Sequence, residues 1–557
     1  MSKKTLYITL KVLYNELIRG DIVNSVIYNP LEEYEQKYRE LHTEKTNQFF
    51  EKLTEQSGVD VEKNRETVAL YNQYKENLSK LKKKLTWLKV LRVVMCITIL
   101  LIPLVIWKLN PKIKDLKSEI DEADKKADEL LKEAHAQMVP LNSLFTDRDA
   151  LNIIESVIPL INFAKCFTAE QEADMIINYD FESYRGDDNS TLDMLAGKYN
   201  DNPFLFENKL IHTMGTQTYY GEKTIYWTET YRDSEGKLRT RQRSETLRAS
   251  VTKPKPFYNT QVELNYCAQG GPDLSFSRDA SHLQTKSERE LERHIKRGAK
   301  KLKKKTDKAI KSSSDFMSMS NTDFEVLFDA LDRDNEVQFR TLFTPLAQTN
   351  MTDLILSKNG YGDDFNFFKT KRTNRIVSNH SQGRAINLLP AAYMSYSYDI
   401  IKENFIGKNT DFFKAVYFDF APLWAIPVYQ ERPVHSLKPI PDYSQQYSLK
   451  ECEALANRID TKYTVHPNTK TSAILKSTFV ESSDGVDETC ITAYSYDIMQ
   501  RIDIVSVYGG DGRYHDVSVP WDDYIPLEAS NNFYISTLER ANNQNIIARR
   551  SGLCIYK

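Results

Sequence analysis

The sequence predicts an α+β protein in which N-terminal helices and a coiled-coil stalk with one membrane segment precede a C-terminal region of mixed antiparallel β structure and helices. Three observations predict this architecture. An apolar run interrupted by charge only near one end covers residues 87–107, apolar residues at spacings of three and four flank it on both sides, and β-branched and aromatic runs dominate after about residue 203. The expected segments are a helical unit (1–58), the stalk (59–140), a helix and β-meander domain (141–285), basic and amphipathic helices (286–350), and an α+β domain (351–557).

Composition excludes several classes of protein. Lys and Arg number 75 and Asp and Glu number 77, so the chain of 557 residues carries a net charge of -2 and is not a polycation as a whole. Any basic function must therefore be local. Six cysteines without a C-x-x-C pair and nine dispersed histidines argue against a disulfide framework and a zinc module. No Walker A, G-x-G-x-x-G or G-x-S-x-G motif is present, and we expect no cofactor.

The first segment has the signals of a small helical unit. A leucine stripe over residues 6–17 predicts one helix, and Asn29-Pro30-Leu31-Glu32 supplies an N-cap, a proline at the first helical position and an early acid for a second. The second helix should end near Gly58, because glycine commonly follows the last helical residue.

The apolar run is the right length for a bilayer. Its 21 helical residues would span about 31 Å, close to a hydrocarbon core of about 30 Å, and tryptophans mark both ends. Lys89 and Arg92 lie near one end, where long side chains can reach the interface. The alternative is a buried core helix. The predicted membrane-spanning residues include Trp87, Val93, Ile97, Leu101, Pro103 and Trp107.

The flanking apolar repeats predict two coiled-coil arms. A single span would place the arms on opposite sides of the bilayer, each needing a partner helix, whereas a hairpin dipping into one leaflet would let them pair with each other. Length favours the single span, since two crossings need about forty apolar residues. The expected location is the cell membrane, with the large C-terminal region in the cytoplasm because its five thiols show no pairing.

The β region contains two clear hairpins. Thr224–Tyr231 and Leu238–Val251 flank the turn Asp233-Ser-Glu-Gly236, and Lys253-Pro-Lys-Pro256 predicts the end of the second strand. A further strand is expected at Gln261–Cys267. Near the C-terminus, Ile502–Tyr508 and Tyr514–Val519 flank the turn Gly509-Gly-Asp-Gly512.

A local concentration of positive charge follows the meander. Ser287–Lys311 is expected to be helical, and its residues 293–311 contain ten Lys or Arg and one acid. A solvated helix face is the plain interpretation. Two functional ones compete with it, contact with anionic lipid headgroups and non-specific contact with nucleic acid, and the predicted membrane segment favours headgroups. The possible headgroup contacts are Lys300, Lys301, Lys303, Lys304 and Lys305.

Two acidic motifs invite a catalytic or metal-binding interpretation. Gly360-Tyr-Gly-Asp-Asp364 resembles the aspartate turn of RNA polymerases, but Ser357-Lys-Asn stands where that family has an apolar strand, so a polar turn is favoured. Asp332-Arg-Asp-Asn-Glu336 begins like a calcium loop, but Val337 and Phe343 occupy the positions that need Gly and Glu. Asp334 or Asn335 is instead expected to cap a helix.

Three blocks resemble an uncharacterised family of membrane-anchored bacterial proteins. They are residues 337–348, the Gly-Tyr-Gly-Asp-Asp-Phe stretch at 360–365, and Lys253-Pro-Lys-Pro-Phe-Tyr258. The resemblance implies a bacterial membrane protein and carries no catalytic residues with it.

The functional hypothesis is a membrane-anchored scaffold or binding protein that uses no catalytic chemistry. Its expected partners are the lipid bilayer, a second copy bound through the heptad arms, and a protein whose identity the sequence leaves open, with no specific nucleic acid. The alternative is a membrane-bound hydrolase or nucleotide-processing enzyme with a carboxylate site near Asp363 and Asp364. A concave pocket that gathers these carboxylates with other acids or histidine would favour the enzyme.

Overall fold

The computed structural model describes residues 26–97, 105–183, 186–312, 316–433, 438–541, 545–550 and 552–556. The chain divides into two compact units. One is helical and comprises Glu32–Pro159 and Asn387–Phe418. The other contains both β-sheets and comprises Leu160–Ile386, Asp419–Lys557 and the described residues before Glu32. The helix predicted over residues 6–17 lies outside the described residues.

Helices form where the sequence places caps and apolar stripes. A π-helical segment Tyr34–Tyr38 joins the first two helices, and Gly58, with φ of 63°, ends the second as predicted. The helices are α1 (Pro30–Glu33), α2 (Arg39–Ser57), α3 (Val61–Ile97), α4 (Asn110–Asn142), α5 (Asp149–Val157), α6 (Ala169–Tyr179), α7 (Glu288–Lys311), α8 (Thr322–Phe328), α9 (Glu336–Leu342), α10 (Pro345–Leu356), α11 (Tyr398–Trp424) and α12 (Leu449–Ala456).

The two heptad arms pair with each other in the helical unit. Helices α3 and α4 run in opposite directions, as Lys82 beside Asp124 and Asn64 beside Gln137 require. Their shared core contains Leu81, Leu88, Leu109, Ile113, Leu116 and Ile120. Burying a side chain of this size is worth about 1.5–3 kcal/mol, so this seam holds the hairpin of helices together.

The predicted transmembrane segment is wrong. Among the helices of the described residues, none has the length and apolarity that crossing a bilayer requires. The membrane-anchored fold class and the cell-membrane localisation are corrected with it, and so is the placement of the C-terminal region on the cytoplasmic side of that membrane. Helix α3 ends at Ile97, Leu101 and Pro103 lie outside the described residues, and the side chains of Trp87, Val93 and Trp107 are exposed.

The physical reason for the error is the pairing of the arms. A single span would separate the arms, but the heptad leucines on its two sides face each other in an antiparallel seam, as they would in a hairpin. Length alone favoured the span, but length does not show which helix the arms pack against.

The other unit contains two antiparallel sheets. The seven-stranded sheet has the order β1-β2-β3-β4-β7-β6-β5, and the five-stranded sheet has the order β11-β12-β10-β9-β8. The strands are β1 (Ile161–Phe163), β2 (Asn189–Tyr199), β3 (Asn202–Arg232), β4 (Leu238–Cys267), β5 (Ser275–Arg278), β6 (Phe365–Thr370), β7 (Thr373–Ser378), β8 (Ile474–Ser483), β9 (Val486–Tyr508), β10 (Tyr514–Thr537), β11 (Ile546–Arg550) and β12 (Leu553–Tyr556).

Both predicted hairpins are confirmed, and both are longer than expected. Strand β4 continues without a break through Pro254 and Pro256 to Cys267, so the expected strand end at these prolines is wrong. An edge strand tolerates proline when the missing N–H would have pointed away from its partner, and β4 gains its second neighbour, β7, only from Leu264 onward.

Helix α12 packs against the strands of this unit. Ser448 caps its N-terminus, Leu455 lies in the core with Ile491 and Phe533, and Lys450 donates to the buried carboxylate of Glu207 at 2.8 Å. Lys450 and Glu207 thus satisfy each other's buried charge.

Candidate cationic binding surface

Helix α7 begins at a capping box that the sequence encodes locally. The Ser287 side chain caps the N3 backbone, and the Glu290 carboxylate accepts from the Ser287 backbone N–H at 3.0 Å. The last turn contains Lys308 and Lys311, whose positive charges interact favourably with the negative end of the helix dipole. The predicted helix is therefore confirmed almost to the residue.

One side of α7 packs against its own fold. Leu302 and Ala309 are buried with Phe316 and Leu331. Gly298 lets the helix approach α8 closely, because a Cβ atom at this position would lie 2.2 Å from Cγ1 of Val326. The apolar stripe of the helix is thus used inside the protein.

The other side carries nine exposed basic residues, which we call the cationic face. They are Arg293, Lys296, Arg297, Lys300, Lys301, Lys303, Lys304, Lys308 and Lys311. At 1.5 Å per residue they are spread over about 27 Å of helix. Within the described part of the chain, none of them forms an ion pair with a carboxylate, and Asp307 is the acid interspersed among them.

The structure separates Lys305 from the other predicted headgroup contacts. Lys300, Lys301, Lys303 and Lys304 belong to the cationic face. Lys305 turns toward the protein, where its Nζ donates to the carbonyl of Leu331 and lies 4.1 Å from the centroid of the Phe316 ring. Burial lowers the pKa of Lys305, and nearby Arg333 lowers it further. Its ammonium group therefore stabilises contacts within the protein and is not part of the cationic face.

The Asp363 carboxylate is buried in an ion pair. Arg278 binds one of its oxygens, and the backbone N–H groups of Ser281 and Leu283 donate to the other at 3.1 Å each. Gly362 precedes it with φ of 68°, and a Cβ there would lie 2.4 Å from the Gln284 side chain, so the turn requires glycine. The predicted polar turn is thus buried and held by these contacts.

The neighbouring carboxylate, Asp364, belongs to a second buried network. It accepts from His380 Nδ1 at 2.7 Å, and His380 Nε2 lies 3.3 Å from Asp419. Asp419 also accepts from Ser381 Oγ at 2.8 Å and from Arg384 at 2.9 Å. Residue spacing does not indicate this group, because His380 has no acid at ligand spacing and 55 residues separate Asp364 from Asp419.

Electrostatics fix the protonation states in this network. Burial alone would lower the pKa of His380, but Asp419 and Asp364 outweigh it and raise the pKa to about 9. Burial opposes ionisation of Asp419, yet His380 and Arg384 lower its pKa. His380 is therefore an imidazolium at neutral pH, with both nitrogens engaged, and it has no lone pair for general-base chemistry.

The segment Asp332–Glu336, which begins like a calcium loop, covers the edge of a sheet. Asp332 accepts from the Ser277 backbone N–H at 2.9 Å, and Asp334 accepts from that of Ser275 at 2.7 Å. Both donors belong to the edge strand β5, beside a cavity of about 280 Å³ that these aspartates line. Asn335 caps α9 by accepting from the Gln338 N–H, which confirms one of the two predicted caps.

Comparisons with known proteins add no candidate. Across the described residues, no group of three or more His, Cys, Asp or Glu side chains could hold a metal ion. No family model, curated protein or solved structure matches the chain. The resemblance to membrane-anchored bacterial proteins stays a prediction.

Proposed function

We propose that this chain is a binding protein without catalytic chemistry, and that its cationic face holds the phosphate backbone of double-stranded nucleic acid. The observation that carries the proposal is the set of nine exposed basic residues on one helix without an ion pair among the described residues. Elsewhere in the same unit, charges such as Lys450 and Glu207 are paired at hydrogen-bond distance.

The cationic face has an energetic reason to take a polyanion. Like charges at spacings of three and four on a helix repel each other, at about 0.2–0.5 kcal/mol for each pair. A row of phosphates replaces that repulsion with attraction and releases condensed counterions, which is the main source of sequence-independent affinity for DNA. The charge is local, since the net charge of the chain is only -2.

The composition of the face favours a duplex over a single strand. Seven of its nine residues are lysines, which contact phosphates as point charges, and it contains no aromatic residue on which an unpaired base could stack. Such a surface positions a duplex without specifying its sequence.

A lipid surface is less well supported. Helices that lie on bilayers bury an apolar stripe among the acyl chains, but the stripe of α7 is packed against α8 and Phe316. Ile310 is the large apolar side chain of α7 that stays exposed, at 73 %. The preference for headgroups also rested on the transmembrane segment, which is corrected above.

The enzyme hypothesis has weaker support still. The carboxylates of Asp363 and Asp364 are engaged by Arg278, by backbone N–H groups and by His380. Ser381 donates to Asp419, and both ring nitrogens of His380 face carboxylates, so the group does not have the order of a nucleophilic triad. These contacts support a structural role for both aspartates.

The test measures binding of the full-length chain to a fluorescent duplex of about 20 base pairs by anisotropy, between about 50 and 200 mM salt. One variant replaces Lys296, Lys300, Lys303 and Lys304 with Gln. The matched control replaces four exposed lysines on other helices, Lys52, Lys63, Lys125 and Lys408, so both variants lose the same charge. Gln keeps the helix propensity of Lys.

We expect the first variant to reduce the slope of log affinity against log salt by about 2–4, because each lost phosphate contact removes about 0.9. The control should keep the wild-type slope. An equal loss in both variants, or no binding by the wild type, would contradict the proposal. So would binding to phosphatidylserine vesicles without binding to the duplex.

A further inference from the structure

The hairpin of β9 and β10 extends beyond the sheet that it belongs to. Strand β8 pairs with β9 only as far as Tyr494, and β12 pairs with β10 only from Tyr534. Beyond these points the two strands continue as a two-stranded ribbon to the turn at Gly509. Within the described residues, no other strand pairs with the outer half of β9.

One face of this ribbon packs within the protein, and the other is exposed. Val505, Val507, Val517 and Val519 contact Ile225, Leu247 and Ala249 of the β3–β4 hairpin. The opposite face presents four large side chains that are 61–73 % exposed: Ile502, Ile504, Tyr508 and Tyr514. A contiguous exposed apolar patch of this kind marks an interaction surface more often than a plain solvent face.

The outer edge of β9, the side that faces away from β10, also carries backbone N–H and C=O groups that pair with no other strand among the described residues. Tyr496 exchanges hydrogen bonds with Thr471 and Lys470, and Lys470 Nζ reaches the carbonyl of Ile498. The groups of even-numbered residues therefore point away from β10. Pro520 lies opposite Ile502 and has no N–H group, so it cannot donate to the Ile502 carbonyl. This agrees with Ile502 pointing its backbone groups away from β10. From Met499 onward, no backbone group on this edge pairs with another strand within the described residues.

Three other open strand edges in this unit are protected. Asp332 and Asp334 bind the N–H groups of β5, and prolines interrupt the donors of β4 (Pro254, Pro256) and β10 (Pro520, Pro526). Residues 495–508 of β9 contain no proline and no lysine. The edge of β9 is thus left able to pair.

We propose that two copies of this chain associate through antiparallel pairing of their β9 edges, on a two-fold axis at Ile502. This register sets Arg501 of each copy opposite Asp503 of the other and joins the two exposed apolar faces. Asp503 is already held as a carboxylate by Lys253 at 2.7 Å and Trp521 at 2.8 Å, and Arg501 is half exposed beside Asp523. The ladder covers residues 499–505, with about six backbone hydrogen bonds.

Neighbouring registers are worse. An axis at Asp503 would put its carboxylate opposite its own copy, which is repulsive. An axis at Ile504 would place Arg501 opposite Val507 and Asp503 opposite Val505, so both charges would lose their cross-strand partner. Charge therefore selects the axis, and the apolar face supplies the driving force.

The register makes a sharp test possible in the full-length chain. Residues on the axis of a hydrogen-bonded pair have Cα atoms about 5.5 Å apart, inside the range that a disulfide bridges. An Ile502→Cys variant should therefore give a covalent dimer on mild oxidation. A Ser506→Cys variant on the same strand should not exceed the wild-type background, because its two copies would lie about 27 Å apart along the ladder.

Association without a crosslink gives the second measurement. Wild-type protein should sediment as a dimer at micromolar concentration, and Ile502→Lys should shift it to a monomer with an unchanged circular dichroism spectrum. Val337→Lys, at an apolar residue that is 75 % exposed on α9, is the matched control and should stay dimeric. A monomeric wild type, or equal crosslinking at positions 502 and 506, would overturn the proposal.

Discussion

The cationic face of α7 and the network around His380 both consist of charged side chains, but they differ in where their partners lie. His380 sits between Asp364 and Asp419, with Arg384 and Ser381 completing the group. The nine basic residues of α7 have no carboxylate partner among the described residues. Breaking a charge pair inside the fold destabilises it, whereas charges left together on the surface are available to a partner outside it.

This contrast also orders the expected size of mutational effects. Removing one member of a buried pair leaves an uncompensated charge in a low-dielectric interior, which costs several kcal/mol. Removing an exposed charge changes stability very little. The same substitution type thus tests fold in one region and function in the other.

The largest effect is expected at Asp363. Asp363→Asn keeps an oxygen for the Ser281 and Leu283 N–H groups but leaves the buried guanidinium of Arg278 without its counter-charge. We expect the free energy of unfolding to fall by about 3–5 kcal/mol, measured by urea denaturation.

A double variant, Asp363→Asn with Arg278→Met, separates charge from shape. It removes both charges and should recover part of the loss, since an apolar replacement for a buried pair is often tolerated. If the double variant is less stable than Asp363→Asn alone, the ion pair is not the reason for the loss.

The next effect is a pH dependence at His380. Its pKa is raised from 6.5 to about 9, so its stabilising contribution is complete below pH 6.5 and is lost as the pH rises through 9. At about 1.36 kcal/mol per pKa unit, the contribution amounts to about 3 kcal/mol. We expect the stability difference between wild type and His380→Gln to shrink by this amount from pH 6.5 to 9.

The stability of wild type must be compared with that of His380→Gln because Lys369 changes stability with pH in the opposite direction. Burial lowers the pKa of Lys369 to about 7, so the folded state gains stability above pH 7, where the unfolded lysine still binds a proton. Lys369 is common to both proteins and cancels in the difference. A difference that stays constant across the window would show that His380 is not held as an imidazolium.

Structural features that are encoded within a few residues were predictable from the sequence, and contacts between distant parts of the chain were not. The capping box at Ser287 and the turn at Asp233–Gly236 are encoded within a few residues, so α7 and the β3–β4 hairpin were predicted correctly. The pairing of Leu88 with the α4 stripe, and the approach of Asp419 to His380, join distant parts of the chain. Heptad spacing predicts the two arms and allows their pairing, but it does not choose that pairing over a single span, and nothing in residue spacing signals the approach of Asp419 to His380.

A smaller effect is expected where the cationic face is fixed to the fold. In a helix, Gly298→Ala should gain up to about 1 kcal/mol from propensity, but the new methyl group would lie 2.2 Å from Cγ1 of Val326. Overpacking of this kind costs about 1–3 kcal/mol, so we expect a net loss of about 1 kcal/mol in the free energy of unfolding. Adding Val326→Ala should relieve the clash. A Gly298→Ala variant more stable than wild type would contradict the close packing.

The smallest effect on stability should come from the centre of the cationic face. Lys304→Gln removes an exposed charge that has no ion pair among the described residues, so the free energy of unfolding should change by less than about 0.5 kcal/mol. The same variant should reduce the salt slope of duplex binding by about 0.9, the value for one phosphate contact. A stability loss comparable to that of Asp363→Asn would mean that Lys304 has a partner inside the fold. The distinction between the two regions depends on this pair of measurements, because only a charge that serves an external partner can change binding without changing stability.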